Sequence, residues 1–264
     1  MKLQEQLGAL YTSHWDSLKK AMISSQQAGK KPSFPFLLSL NHWVNGQPEE
    51  NWYADADLRV MVFGQETNRW TGNEDTGDFG IPPSTAFDPE VSMEAVMGIY
   101  EDFYATYYSE SAFRYNGRKY GTFHHGVNHL AGLLTDCFHG KRVAYLWNNL
   151  VKVGKADGRG FCGENIFRAQ LEVFPVIPEE IHILRPDILI FLTGSYDDIL
   201  ERVFKEATFT ALAPFQREEV ARITLPGINI PAYRTYHPSA RIGKGQKEAF
   251  YQAITNDIKT TFLK

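Results

Sequence analysis

Three short apolar runs, LRVMVFG (residues 58–64), RVAYLW (142–147) and DILIFL (187–192), constrain this chain most. Each is too short for a buried helix and is rich in β-branched or aromatic residues, the pattern of a buried strand. Segments with apolar residues at helical spacing lie between them. Strands that alternate with helices are joined by crossovers, so the strands run parallel and the helices cover both faces. The expected fold is therefore α/β, a three-layer α/β/α sandwich around a central, mostly parallel sheet of four to five strands.

The rest of the chain fills in around these runs. Residues 3–25 place Leu7, Leu10, Trp15, Leu18 and Met22 on one helical face, which predicts an opening amphipathic helix. Residues 29–35, with Gly, Lys, Pro and Ser, read as a linker or turn. A polar stretch rich in Gly and Pro follows from 66 to 89, a length at which loops are usually functional or disordered. Helical patterns run over 89–108, 122–138 and 164–174, and Pro186 breaks a further helix before the strand that ends at Gly194. A helix over 196–205, an edge pair around 223–230, a last strand over 232–236 and a helix over 246–262 complete the chain. We expect a single domain over 1–264, with 1–50 as a helical N-terminal extension and 88–120 as a helical insertion.

With 264 residues, 43% of them hydrophobic, the chain can bury a sizeable core. Its formal charge of −4 argues against non-specific polyanion binding, which needs clustered Lys and Arg, although a local basic patch is compatible with it. Cys137 and Cys162 are too few for a cysteine-ligated iron–sulfur cluster or a four-cysteine zinc site. The N-terminus is polar where a signal peptide would be apolar, and no run approaches the roughly 18 apolar residues of a membrane span. A reducing, cytoplasmic location with both thiols free is the simplest expectation.

Chemistry is expected where strands emerge, because open α/β folds build their sites beyond the carboxyl ends of the strands. GQETN follows the first run and offers Gln65 and Glu66. Gly64 would let a ligand approach the backbone, and Glu66 could hold a water or stabilise positive charge on a sugar. After the second run comes the pair Asn148–Asn149, on opposite faces of any strand; a carboxamide can read the donor–acceptor edge of a nucleobase. YHPSAR places His237 at the end of the last strand, where an imidazole can donate to a developing oxyanion. Each residue alone also has a plain structural reading: a turn glycine, a solvated carboxylate, a strand-ending asparagine or a packed histidine. His125 and His129, at i and i+4 in FHHGVNHL, could ligate a metal, but no third ligand is evident.

Taken in order, these segments resemble the uracil-DNA glycosylase superfamily. GQETN is similar to the first motif, which reads GQDPY in the uracil-specific enzymes; LWNNLVKVG is similar to the strand carrying the base-reading Asn. RPDILIFLTG resembles the next strand, and HPSAR the second catalytic motif. The resemblance spans about residues 58–241. By position it implies that Glu66 orients the water, that Gln65 lies against the base through its backbone, and that Phe79 stacks on the base. Asn149 would read the base edge, His237 would bond the base oxygen as charge develops, Ser239 would touch a phosphate, and Arg241 would fill the space left by the flipped base. The motif carries Glu in place of Asp, and Thr67–Asn68 in place of the Pro-Tyr that excludes thymine.

What the resemblance implies is a divergent DNA glycosylase without an iron–sulfur cluster, excising a uracil-type or other damaged base by N-glycosidic hydrolysis. It needs no metal and no organic cofactor; its partner would be DNA containing a damaged base, and the protein would act as a monomer away from membranes. Two alternatives stand beside it. One is a catalytically inactive protein of the same fold that binds nucleic acid or a nucleotide. The other is a metal-dependent hydrolase using His125 and His129.

Overall fold

In the run Ile188–Leu192 every side chain is buried, and this strand forms the spine around which the sheet is built. The computed structural model describes residues 1–44, 47–49, 51–67, 70, 87–109, 114–115, 122–157 and 160–262. In chain order the elements are α1 (Leu3–Gln27), β1 (Pro32–Pro35), β2 (His42–Val44), β3 (Gln47–Glu49), α2 (Asn51–Ala54), β4 (Leu58–Glu66), α3 (Met93–Tyr107), β5 (Tyr108–Ser109) and β6 (Arg114–Tyr115). They continue with α4 (Thr122–Cys137), β7 (Val143–Val151), β8 (Val153–Lys155), α5 (Glu164–Val173), α6 (Ile177–Leu184), β9 (Ile188–Leu192) and α7 (Asp197–Phe204). The last are β10 (Thr208–Ala211), β11 (Val220–Leu225), β12 (Ile228–Thr235) and α8 (Lys244–Phe262).

The α/β class is as expected, but the sheet is larger and mixed. Six strands follow the order β10-β11-β12-β9-β4-β7. β12 and β4 both run parallel to β9, with Thr235 opposite Leu192 and Phe63 opposite Phe191. β10, β11 and β12 pair antiparallel, which the sequence reading split differently. Residues 228–235 form one strand, and Pro226–Gly227, with Gly227 at φ +75°, turns it back on β11. β10 was not anticipated; three of its four side chains are exposed, so it lacks the apolar signal of an inner strand. The predicted linker at 29–35 instead contains β1, buried along its length and paired with β8.

The chain divides into two compact units that interleave in sequence: Met1–Ala54, Glu66–Glu110 and Asn149–Arg185 form the first, and Asp55–Gln65, Ser111–Asn148 and Pro186–Lys264 the second. β4 and β7 therefore pass from the second unit to the first at Gln65–Glu66 and Asn148–Asn149.

In the second unit, alternation along the strands sorts side chains to two faces. Val60, Val62, Tyr145, Ile188, Ile190 and Leu192 join Leu130, Leu134, Phe250, Ile254 and Ile258 of α4 and α8 in one core. Each aliphatic side chain fully buried there stabilises the fold by about 1.5–3 kcal/mol. On the other face Phe63 stacks on Phe191 at 4.5 Å, and Phe204 of α7 meets Phe191 edge-on at 5.8 Å. The Asp187 carboxylate accepts from the Arg59 backbone N–H at 2.8 Å and from its Nε at 3.2 Å, pinning the start of β9 to β4. α6 stops as predicted: Arg185 takes a left-handed conformation as its C-cap, and Pro186 follows.

The first unit is organised by α1, which buries Leu7, Tyr11, Trp15, Leu18 and Met22. Tyr11 takes the place expected of Leu10, which is half-buried. The Tyr11 hydroxyl donates to Glu180 Oε1 at 2.7 Å, and Lys152 Nζ lies 2.7 Å from the same oxygen. Lys152 is 2% exposed and Glu180 0%, so this ion pair is sealed inside the unit.

Candidate functional site

Three strand ends of the second unit come together around Gly194. The Gln65 side-chain amide donates to the Thr193 carbonyl at 2.7 Å, and the Gly194 N–H donates to the Thr235 carbonyl at 3.0 Å. These bonds tie the ends of β4, β9 and β12. Gly194 sits at φ +59°, and a Cβ there would stand 3.3 Å from the His237 backbone nitrogen and 3.9 Å from Gln65 Nε2. Glycine suits both the left-handed backbone and the close approach.

His237 is the best-defined group of this half. The Ser239 backbone N–H donates to His237 Nδ1 at 3.2 Å, and the Ser239 hydroxyl lies 2.7 Å from the same nitrogen. An amide N–H can only donate, so Nδ1 is the unprotonated nitrogen and the ring proton resides on Nε2. Burial, and secondly the Lys247 ammonium, push the imidazole down to about 4, so it is neutral at physiological pH. Phe123 of α4 stacks on the ring, with centroids 5.5 Å apart and planes inclined by 22°. His124 is buried edge-on against Trp147 at 4.8 Å, and burial pushes it down to about 3.

Pro238 anchors the turn. The Lys247 Nζ donates to its carbonyl at 2.7 Å, and its ring packs on Gly126, where a Cβ would meet Pro238 Cγ at 2.4 Å. The Ser239 and Arg241 side chains are exposed.

In the first unit, Glu66 is half-buried at the end of β4, and its Oε2 accepts from the Cys162 backbone N–H at 3.1 Å. Gly163, at φ +93°, shapes the turn that presents this amide and leads into α5. The Cys162 thiol is pushed up to about 12, first by burial and then by the Glu66 charge, so it is no nucleophile at neutral pH. Asn149 is 1% exposed inside β7, not beyond the strand end where the sequence placed it. The apolar run was read as ending at Trp147; ladder pairing carries the strand on through both carboxamides. Asn148, in the second unit and on the opposite face, directs its Nδ2 toward Met61 Sδ at 3.6 Å.

Phe79 lies outside the described residues. His125 is exposed, and His129 pairs with Glu248 of α8. Among the described residues no group of three His, Cys, Asp or Glu gathers to hold a metal ion. No described helix is long and apolar enough to cross a membrane. Sequence reasoning missed Phe123, Lys247, Gly126 and the Cys162 amide. FHHGVNHL drew attention to Phe123 and His124 only as neighbours of a metal pair, and nothing local marks the others.

Neither models of known protein families nor curated protein sequences match this chain.

Proposed function

We propose that this protein is a DNA glycosylase-like hydrolase that releases a uracil-type or other damaged base from DNA, within a fold of the uracil-DNA glycosylase kind. One observation carries the reading: a neutral imidazole, protonated at Nε2, is held rigidly at the carboxyl end of a parallel strand pair. A base leaving from an N-glycosidic bond departs as an anion with charge on its carbonyl oxygen. A neutral donor fixed toward that oxygen stabilises the transition state without having to give up its proton, and such a donor is worth about 10²–10³ in rate. The C–N bond breaks with its electron pair going to the base, and an oxocarbenium-like sugar remains.

In this reading Glu66, oriented by the Cys162 amide, receives a proton from the water that adds to the sugar carbon. Asn149 reads the base edge, Gln65 supports it through the backbone, and Phe79 stacks on it. Ser239 and Arg241 meet the DNA backbone and the vacated stack. Flipping the base costs a few kcal/mol, least where the base is mismatched or damaged.

A second reading, a catalytically inactive protein of this fold that binds nucleic acid or a nucleotide, is favoured by Glu in place of Asp in the first motif. Both are tested by incubating the protein with single- and double-stranded oligonucleotides carrying uracil, hypoxanthine or mismatched thymine. Base release from any of them supports the glycosylase. Binding without release supports the second reading, and release from none overturns the first.

A further inference from the structure

α8 begins with Lys244, carries Lys247 in its opening turns and has no acidic residue in its first turn. The helix macrodipole favours the opposite arrangement, with anions at the N-terminus and cations at the C-terminus. Departures from such a local rule are expected at functional or strained sites. Lys247 also has a specific target: its ammonium donates to the Pro238 carbonyl at 2.7 Å, one residue from His237.

The same turn is gripped from α4. Pro238 packs so closely on Gly126 that a Cβ there would stand 2.4 and 2.6 Å from its Cγ and Cβ. Phe123, three residues earlier on α4, stacks on the imidazole itself. We infer that Lys247 is a positioning residue for His237: it holds the turn from His237 to Ser239 against α4 through the Pro238 carbonyl, and so aims Nε2–H. This rests on the reading of His237 as donor to the departing base and adds the residue that directs it.

The ammonium has a second effect on the same ring. Among the described residues the charge that acts on His237 is the Lys247 ammonium of α8, while His237 in turn acts on His124 of α4, itself buried and neutral. A fixed positive charge beside an imidazole resists a second one, so Lys247 reinforces what burial begins. One side chain thus holds the direction of the donor and reinforces the neutral state that burial sets.

Long-range ¹H–¹⁵N NMR of the histidine rings, followed against pH in wild type, K247M and K247R, tests this. The wild-type His237 signal is expected as the Nε2–H tautomer, titrating near pH 4. K247M is expected to move the midpoint upward and to broaden or mix the tautomers, and K247R to restore both. In the base-release assay K247M is expected to lose on the order of tenfold to a hundredfold in kcat with KM little changed. Should K247M fail to fold, K247Q gives the same reading. A midpoint and tautomer unchanged in the neutral variants overturn the inference. Because the NMR signal needs no turnover, absence of base release would sink the glycosylase reading while the spectra still decide the role of Lys247.

Discussion

The Ser239 backbone amide addresses His237 Nδ1 from 3.2 Å, and this one bond fixes which face of the imidazole is a donor. The hydroxyl of the same serine lies 2.7 Å from that nitrogen. The residue that the motif assigns to a phosphate thus also sets the tautomer of its neighbour. Replacing Ser239 with Ala removes the hydroxyl and leaves the amide. S239A is expected to keep the Nε2–H tautomer by NMR and to lose about tenfold in base release, whereas H237A loses about 10²–10³. Equal losses in both would mean that the serine hydroxyl, not the imidazole, is the main contributor.

Glu66 offers a direct test of the water-handling role. E66Q keeps the side-chain length but cannot take a proton, and a loss of about 10²–10⁴ in single-turnover rate is expected. E66D shortens the reach to the Cys162 amide. If E66D matches or exceeds wild type, the extra methylene of Glu66 is a handicap; if E66Q stays active, Glu66 is not the base.

Gly194 combines φ +59° with a Cβ position 3.3 Å from the His237 backbone nitrogen. G194A is expected to cost about 1–2 kcal/mol from the left-handed backbone alone. Urea unfolding reads this as a lower midpoint at unchanged slope. An unchanged midpoint would show that the turn relaxes freely.

His124 and His237 make the fold acid-sensitive. Both titrate near 6.5 when unfolded but are pushed down to about 3 and about 4 in the folded protein, chiefly by burial. Between those limits the unfolded chain binds more protons, so stability falls as pH falls. It is complete above about 6.5 and is lost progressively as pH drops toward 4 and then 3. Melting temperature is expected to decline through that window, and H124Q to flatten the decline. If the protein releases bases as proposed, the acid limb of the base-release profile should fall near pH 4; a limb near 6.5 would mean that His237 is exposed to solvent during turnover.

The Lys152–Glu180 pair is sealed within the first unit, and Tyr11 donates to the same carboxylate. Removing one partner strands the other charge: K152M is expected to cost about 3–5 kcal/mol in urea unfolding, while K152M/E180L recovers most of it. A mild effect of K152M alone would show that water reaches Glu180.

Much of the fold was legible because it is local. The strands at 58–64 and 187–192, the stop at Pro186 and the helices over 3–25, 122–138 and 164–174 follow from hydrophobic period and breakers, which a short window contains. Where local signal fails, the reading failed too. β10 is mostly exposed and looks polar, β1 looks like a linker until it pairs with β8, and β7 continues through two asparagines because its ladder, not its side chains, holds it.

By itself the sequence determined the inner strands β4 and β9 and the main helices around them, and set Gln65, Glu66, Asn149 and His237 at the distal ends of apolar runs. Hydrophobic periodicity and the nearest-neighbour chemistry of Gly and Pro suffice for that. Only the tertiary structure decided how those groups are held: Gln65 on Thr193 across 128 positions, Glu66 on Cys162 across 96, Phe123 on His237, and Lys247 on the turn at Pro238. Such contacts join segments far apart in the chain, so strand register and helix packing create them. The protonation state of His237 depends on burial, and burial belongs to the folded whole.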